Sequence, residues 1–304
     1  MTRGRDRASL LFGAMVLLLL AACGAPSGQS GSRTLQVVAG ENFWGSIATQ
    51  LGGSHVSVTS VVSNPNADPH DYETSSIDAR AFATADYVVL NGAGYDDWGS
   101  KLLGGNPNDA RKVLVVGDLL HKKAGDNPHF WYNPDWVEAV GDRITADYKG
   151  LDPADATYFD QQRSSLRQSM QPYHQRITSI RNAFHGTPVG ATESIFVYLA
   201  QALGLDLISP PEFMKAVAEG NDPPANTVAE FQSQITGKQI KVLVFNVQTA
   251  SNVTDGLKKL AADDGIPVVG VSETLQPADA TFQEWQLAQL LTLQNALNAR
   301  ALTQ

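Results

Sequence analysis

Eight short apolar runs rich in β-branched residues, separated by stretches of helical periodicity, constrain this chain more than any other feature. Four lie in the first half, at Leu35–Ala39, Val56–Val62, Tyr87–Leu90 and Val113–Val116. Four lie in the second, at Pro188–Ala191, Leu205–Ile208, Val242–Phe245 and Pro267–Val271. Helix-like patterns fall between them, for example at Trp44–Leu51, Ser76–Thr84, Thr227–Thr236 and Thr254–Asp263. Strands that alternate with helices pair in parallel through crossover connections, so the rhythm predicts an α/β fold. The four-plus-four division predicts two similar lobes with mainly parallel sheets, residues 34–151 and 186–304, although the halves share no sequence repeat beyond the rhythm.

Residues 152–185 carry no strand signal. Asp152-Pro153 is a helix start, an N-cap followed by proline in the first turn. Tyr158, Phe159, Leu166, Met170, Tyr173, Ile177 and Ile180 then recur at a helical period. One linking helix of roughly 30 residues, about 45 Å long at 1.5 Å per residue, is expected. Pro172 should kink or split it, because proline removes a helical hydrogen bond. Such a connector is stiff, and it leaves only small loop motions for any ligand exchange between the lobes.

The N-terminus reads as an export signal. Arg3, Arg5 and Arg7 form a basic segment, and Leu10 to Leu20 is an apolar stretch too short for a comfortable membrane span. Leu20-Ala21-Ala22-Cys23 resembles the lipobox of bacterial lipoproteins, with Cys23 as the lipidated residue; an ordinary signal peptide is the other reading. Residues 1–23 are therefore assigned to the signal and 24–33 to a Gly/Ser/Pro-rich tether. Cys23 is the chain's one cysteine, so no intramolecular disulfide can form in an oxidising compartment. Loss of residues 1–22 removes three positive charges and one negative, lowering the formal charge by two, from −9 to −11. A chain this acidic is a poor nucleic-acid binder and is suited to attracting cations. The remaining length, about 280 residues, is enough for two cores.

Of the six histidines, two share a setting: Asp68-Pro69-His70-Asp71 and Asn127-Pro128-His129-Phe130. The proline before each restricts the incoming backbone, so each imidazole can offer a lone pair in a fixed direction. Each lies beyond the carboxyl end of a strand run, as do Glu193 in Ala191-Thr192-Glu193-Ser194 and Glu273 in Val271-Ser272-Glu273-Thr274. Ligands of open α/β sheets bind at that end. Two imidazoles and two carboxylates, two groups from each half, fit a divalent first-row metal in an interlobe cleft. Simpler readings exist for each residue. Glu193 and Glu273 could be helix-start carboxylates favoured by the macrodipole. His70 and His129 could be ordinary loop residues, and Asp68, Asp71 and Glu73 solvated acids. His55, His121, His174 and His185 read as surface or helix-face residues, and Trp44, Trp98, Trp131, Trp136 and Trp285 as core or cleft lining.

At these residues the chain resembles the metal-binding solute-receptor lipoproteins of manganese/zinc ABC transporters. The resemblance covers nearly the whole mature chain. It is carried by Asn66 to Glu73, by Asn127-Pro128-His129-Phe130-Trp131-Tyr132-Asn133-Pro134, by the strand Val88–Gly94 that ends in Asn-Gly, and by the central helix. It implies a monomeric receptor anchored by lipid to the outer face of the cytoplasmic membrane. Such a receptor delivers its ion to a permease driven by an ATPase. His70 and His129 match the family's first two ligands. Glu193 stands where zinc receptors carry histidine and manganese receptors often carry glutamate. Glu273 stands where the family usually has aspartate, and Asn246 follows a strand that often ends in glutamate. Glu193, together with the absence of a His-rich insertion, leans towards manganese over zinc, with iron also compatible. The rival expectations are an exported metal-dependent hydrolase, an anchored adhesin-type lipoprotein and a receptor for an organic solute. Neither a His-Glu-X-X-His run nor a Gly-X-Ser-X-Gly elbow supports the first.

Overall fold

The computed structural model describes residues 33–65, 72–249 and 251–301. The signal and tether, with Cys23, and the loop that carries Asp68, His70 and Asp71 lie outside these residues. Strands β1 (Leu35–Glu41), β2 (Val56–Val62), β3 (Tyr87–Leu90) and β4 (Lys112–Val115) form one parallel sheet in the order β2-β1-β3-β4. Strands β5 (Pro188–Ala191), β6 (Asp206–Leu207), β7 (Leu243–Asn246) and β8 (Val268–Val271) form a second in the order β6-β5-β7-β8. The two orders are the same: the second strand of each half lies outside the first, and the third lies on the first strand's other side. Each sheet therefore has a switch point between its first and third strands, where the crossovers diverge and leave a crevice at the strands' carboxyl ends.

The inner strands are buried on both faces, Tyr87 to Leu90 completely, as expected where helices cover a parallel sheet. The edge strand β2 alternates with exposed Ser57 and Thr59. The covering helices of the first half are α1 (Asn42–Gly52), α2 (Ser76–Thr84), α3 (Asp97–Gly105), α4 (Val116–Leu119) and α5 (Pro134–Leu151). Helix α2 begins in a reciprocal cap between Ser75 and Asp78. Asn133 accepts hydrogen bonds from the Asp135 and Trp136 N–H groups at 3.0 and 3.2 Å, and with Pro134 it starts α5.

The expected single connector is two helices, α6 (Ala156–Ser169) and α7 (Gln171–Phe184), entered through a 3-10 turn at Pro153–Asp155. Pro172 offers no N–H to the preceding turn, so the hydrogen-bond ladder is interrupted there. Met170 keeps right-handed helical angles (φ −77°, ψ −13°). The Met170 N–H still donates to Leu166 at 2.9 Å, and His174 donates to Met170 at 3.1 Å. The proline splits the helix, while Met170 keeps the backbone between the two parts helical.

The second half adds α8 (Val197–Leu203), α9 (Pro211–Ala218), α10 (Ala225–Thr236), α11 (Asn252–Asp263) and α12 (Phe282–Ala301). Helix α12 packs along α7 and reaches α1 of the first half. There the Gln50 and Gln283 side chains donate to each other at 3.1 and 2.7 Å, and the Phe282 N–H donates to the Ser46 hydroxyl at 2.9 Å. One contiguous apolar core includes residues of both sheets, of α6 and α7, and of α12. Among the described residues no helix is long and apolar enough to cross a membrane.

Glu138 on α5 ties the connector to the first half. It pairs with Arg163 on α6 at 2.5 Å and with His174 on α7 at 3.0 Å. The hydrogen bond from His174 is the largest influence on its carboxyl. Partial burial opposes it and Arg163 reinforces it, and the net result is a value of about 2 against the ordinary 4.5. A carboxyl depressed in the folded state stabilises the fold above its unfolded value and loses that contribution as pH falls through the folded one. The stability advantage of the native protein over Glu138→Gln is therefore expected to be full above about pH 5 and to vanish towards about pH 2. Urea unfolding of both proteins across that range measures it.

Candidate metal centre

His129 follows Pro128 at the mouth of the first sheet and is completely buried. Asn127 turns the chain: its side-chain oxygen accepts the His129 backbone N–H at 3.1 Å and lies 2.7 Å from His129 Nδ1. The Asn127 amide nitrogen donates to the Ser194 carbonyl of the second half at 2.7 Å. With the amide so oriented, its oxygen must accept from Nδ1–H. That fixes Nδ1 as a proton-bearing ring nitrogen and directs Nε2 towards Glu193. Asn91, at the end of β3, braces the same loop by donating to the Pro128 carbonyl at 2.9 Å while accepting from the Trp44 indole at 3.0 Å. The Asn-Gly strand ending noted in the sequence is thus a support for the histidine loop.

Glu193 lies two residues beyond β5 and Glu273 two residues beyond β8. Both are buried. Glu193 Oε1 is 3.6 Å from His129 Nε2. One donor atom from each of His129, Glu193 and Glu273 lies within 4.8 Å of the other two. The helix-start reading fits the position of Glu193, at the N-cap of a 3-10 turn that runs into α8, and does not fit Glu273. Glu193 precedes a 3-10 turn, but its side chain caps no backbone group. After Glu273 no helix begins until Phe282.

Asn246, the last residue of β7, lies between the two carboxylates. Its amide nitrogen donates to Glu193 Oε2 at 2.9 Å and to Glu273 Oε1 at 2.7 Å. Tyr95 of the first half donates its hydroxyl to Glu273 Oε2. Gln248 accepts the Glu273 and Thr274 N–H groups at 2.7 and 3.1 Å, holding the glutamate's backbone. Glutamate in place of Asn246 would put a third buried negative charge in this space, whereas the amide supplies hydrogen-bond donors. A cleft of about 850 Å³ opens onto His129, and Tyr95, Asn127, Ser194, Lys215 and Thr249 are among its walls.

The described residues that flank the first histidine loop are themselves fixed. Pro65 accepts from the Gln276 side chain at 2.9 Å, three residues beyond Glu273. Tyr72 donates to Asp78 at 2.7 Å and packs against Trp98. Glu73 is exposed. Of the other histidines, His121 and His185 are exposed, while His55 and His174 are half-buried partners of Asp155 and Glu138. Trp44, Trp131 and Trp285 are core residues.

Glu41 escaped the sequence reading. It ends β1 inside a stretch that looks like an apolar strand running into a helix, and it is fully buried. Burial, the Asp96 carboxyl with which it shares a hydrogen bond, and the charge of Glu273 all push its carboxyl well above the ordinary 4.5. Asp96 accepts the Asn91 and Gly92 N–H groups at 2.6 and 2.7 Å, which leaves Glu41 as the proton-bearing member of the pair. The one signal in the sequence was a glutamate at the carboxyl end of a strand, the position that also picks out Glu193 and Glu273.

Parallel sheets with matching switch points, and a buried His/Glu/Glu cluster at their carboxyl ends, define a class: two-lobed α/β proteins built to hold a small ligand in a crevice. A family model described as zinc-uptake complex component A, periplasmic (ZnuA), matches residues 37–296. The manganese-binding lipoprotein MntA of Halalkalibacterium halodurans is 25% identical over 267 residues, covering 84% of this chain and 85% of that protein. MntA of Bacillus subtilis is 30% identical over 162 residues, 50% of this chain and 52% of that protein, so this match spans about half the relative's length. The solved structure of FpvC from Pseudomonas aeruginosa in complex with Mn2+ has the same fold, with a TM-score of 0.72 at 19% identity over 88% of this chain and 99% of that one. The chain belongs to the zinc-uptake component A family.

A carboxyl raised in the folded state costs stability once the unfolded chain can ionise at its ordinary value, so the cost grows as pH rises above 4.5. The metal-free Glu41→Gln variant is expected to match the native protein near about pH 4 and to be the more stable of the two at about pH 7. Denaturant midpoints at both values measure the difference, and a less stable variant at neutral pH would contradict a protonated Glu41.

Proposed function

We propose that this chain is an extracytoplasmic receptor that captures a divalent transition-metal ion, manganese or zinc, and hands it to a membrane permease driven by an ATPase. The observation that carries the reading is the buried His129, held by Asn127, facing Glu193 and Glu273. These are three preoriented donors in a space from which bulk water is largely excluded. A divalent cation would offset the charge of two carboxylates whose burial is otherwise costly. His70 is proposed as the fourth ligand. The fixed position of Pro65 beside the Glu273 segment supports it, since the chain enters the histidine loop close to the cluster. The ion is cargo, so no chemistry is performed on it.

Manganese is the ion we assign first. Two carboxylates make a harder donor set than the three-histidine alternative, and both relatives described above are named as manganese-binding lipoproteins. Release is proposed to come from small movements of the Glu193 and Glu273 loops, because the helical connector and α12 tie the halves together. The receptor is proposed to be monomeric and to be held at the membrane through lipid on Cys23.

Elemental analysis of the mature protein isolated from its own host's membranes, without added metal, is expected to find about one equivalent of a first-row ion and to name it. His70→Ala, His129→Ala and Glu193→Gln are each expected to lose at least about tenfold in affinity while keeping the native circular dichroism. A protein that is empty as isolated and takes up neither manganese nor zinc would end this reading. In the host, Cys23→Ala is expected to move the protein from the membrane to the soluble fraction, as immunoblotting of the two fractions would reveal.

A further inference from the structure

A second group of metal-ligating side chains lies away from the cleft, at the foot of the helical connector. His55 leaves the corner between α1 and β2, and Asp152 and Asp155 bracket the turn between α5 and α6. One donor atom from each of the three lies within 4.8 Å of the other two. His55 Nδ1 is 2.9 Å from Asp155 Oδ2. Adjacent ligands on one ion, with bonds of about 2.1 Å, lie roughly 3 Å apart, so this pair already has the spacing of neighbouring ligands.

The corner that presents His55 is rigid for identifiable reasons. Gly53 has φ +51°, and a side chain there would meet the Tyr158 hydroxyl, 2.2 Å from the position of its Cβ. That hydroxyl accepts the Ser54 N–H at 3.0 Å and lies 3.2 Å from the Ser54 hydroxyl. The His55 ring lies against Tyr158, with centroids 4.2 Å apart, and meets Phe159 edge-on at 5.9 Å. On the other side, Asp152 closes α5 through its N–H to Tyr148 at 2.8 Å, and the Asp155 N–H returns to Asp152 at 3.3 Å. One nitrogen and two carboxylates are thus held by elements that are fixed without an ion. His55 and Asp155 retain 20% and 28% of their side-chain exposure, enough for an ion to enter and keep water ligands.

We propose that His55, Asp152 and Asp155 form a second, peripheral site for a divalent first-row cation. The ion clamps the α1–β2 corner of the first sheet to the base of the linking helices. With three protein donors and solvent access, the site binds more weakly than the cleft. The plainer account, an ion pair joined to helix-cap residues, gives the same contacts but no metal stoichiometry.

Equilibrium dialysis of the mature protein against zinc, with metal counted by elemental analysis, separates the two. The native chain is expected to bind a second equivalent more weakly than the first. His55→Ala should retain the cleft equivalent and lose the peripheral one. His55→Gln can still donate to Asp155 but has no imidazole ligand, and it should behave in the same way, which guards against a variant that is merely unfolded. The second equivalent should also raise the thermal midpoint of the native chain and not that of either variant. A native chain that saturates at one equivalent, or a second equivalent that persists in both variants, would overturn the proposal. The site is independent of the cleft, since Glu193→Gln should leave the weaker equivalent in place.

Discussion

Two carboxylates buried in one small space are the constraint around which this molecule is organised. Glu193 and Glu273 arrive from the ends of β5 and β8, and nothing in an apolar core would tolerate them side by side without compensation. Asn246 supplies hydrogen-bond donors to both, and Tyr95 adds a third donor across the cleft. These contacts partly offset the carboxylates' desolvation, and a divalent cation would complete the compensation. Local electrostatics at this cluster is what supports the proposed cation site.

The scaffold converts that cluster into a site at a defined place. Both sheets use the same strand order, so each has a crevice at the carboxyl ends of its first and third strands. His129 and Tyr95 lie on the first sheet's side, and Glu193, Asn246 and Glu273 on the second's. Contacts across the halves are concentrated at this seam. Asn127 donates to Ser194, Tyr132 donates to the Ser272 carbonyl, and Tyr198 donates to the Asn127 carbonyl. Away from the seam, α12 runs along α7 and reaches α1, so the apolar core does not stop at the boundary between sheets. A molecule joined in this way has little freedom for hinge opening. Such a joint is compatible with the proposed release through the loops that carry the donors.

Glu41 and Asp96 show a different use of buried charge. Burial and the neighbouring Asp96 carboxyl push Glu41, at the end of β1, well above its ordinary value, which limits the negative charge beside Glu273, while Asp96 accepts the N–H groups of the turn after β3. The same turn carries Asn91, which holds Pro128, and Tyr95, which reaches Glu273. The pair therefore anchors the backbone from which two supports of the cluster extend.

Much of this was legible in the residues themselves. Alternating apolar runs and helical periods required a parallel α/β fold in two halves, because only crossover helices can join parallel strands. The Asn-Pro-His step required a fixed imidazole, and the position of Glu193 and Glu273 just beyond strands placed them at the ligand-binding end. The sequence also located the interruption of the connector at Pro172. Tertiary structure decided what local pattern cannot encode. Asn246 looked like a departure from a family glutamate, yet it is the amide that bridges both carboxylates, a role visible only when β7 lies between β5 and β8. Glu41 sat unnoticed in an apolar stretch because its partner, Asp96, is 55 positions away. Likewise His55 read as a surface residue because Asp152 and Asp155 reach it only after the connector folds back beside α1. Periodicity reports which face of an element is buried; which polar groups then meet inside depends on strand order and crossover, and those are properties of the whole chain.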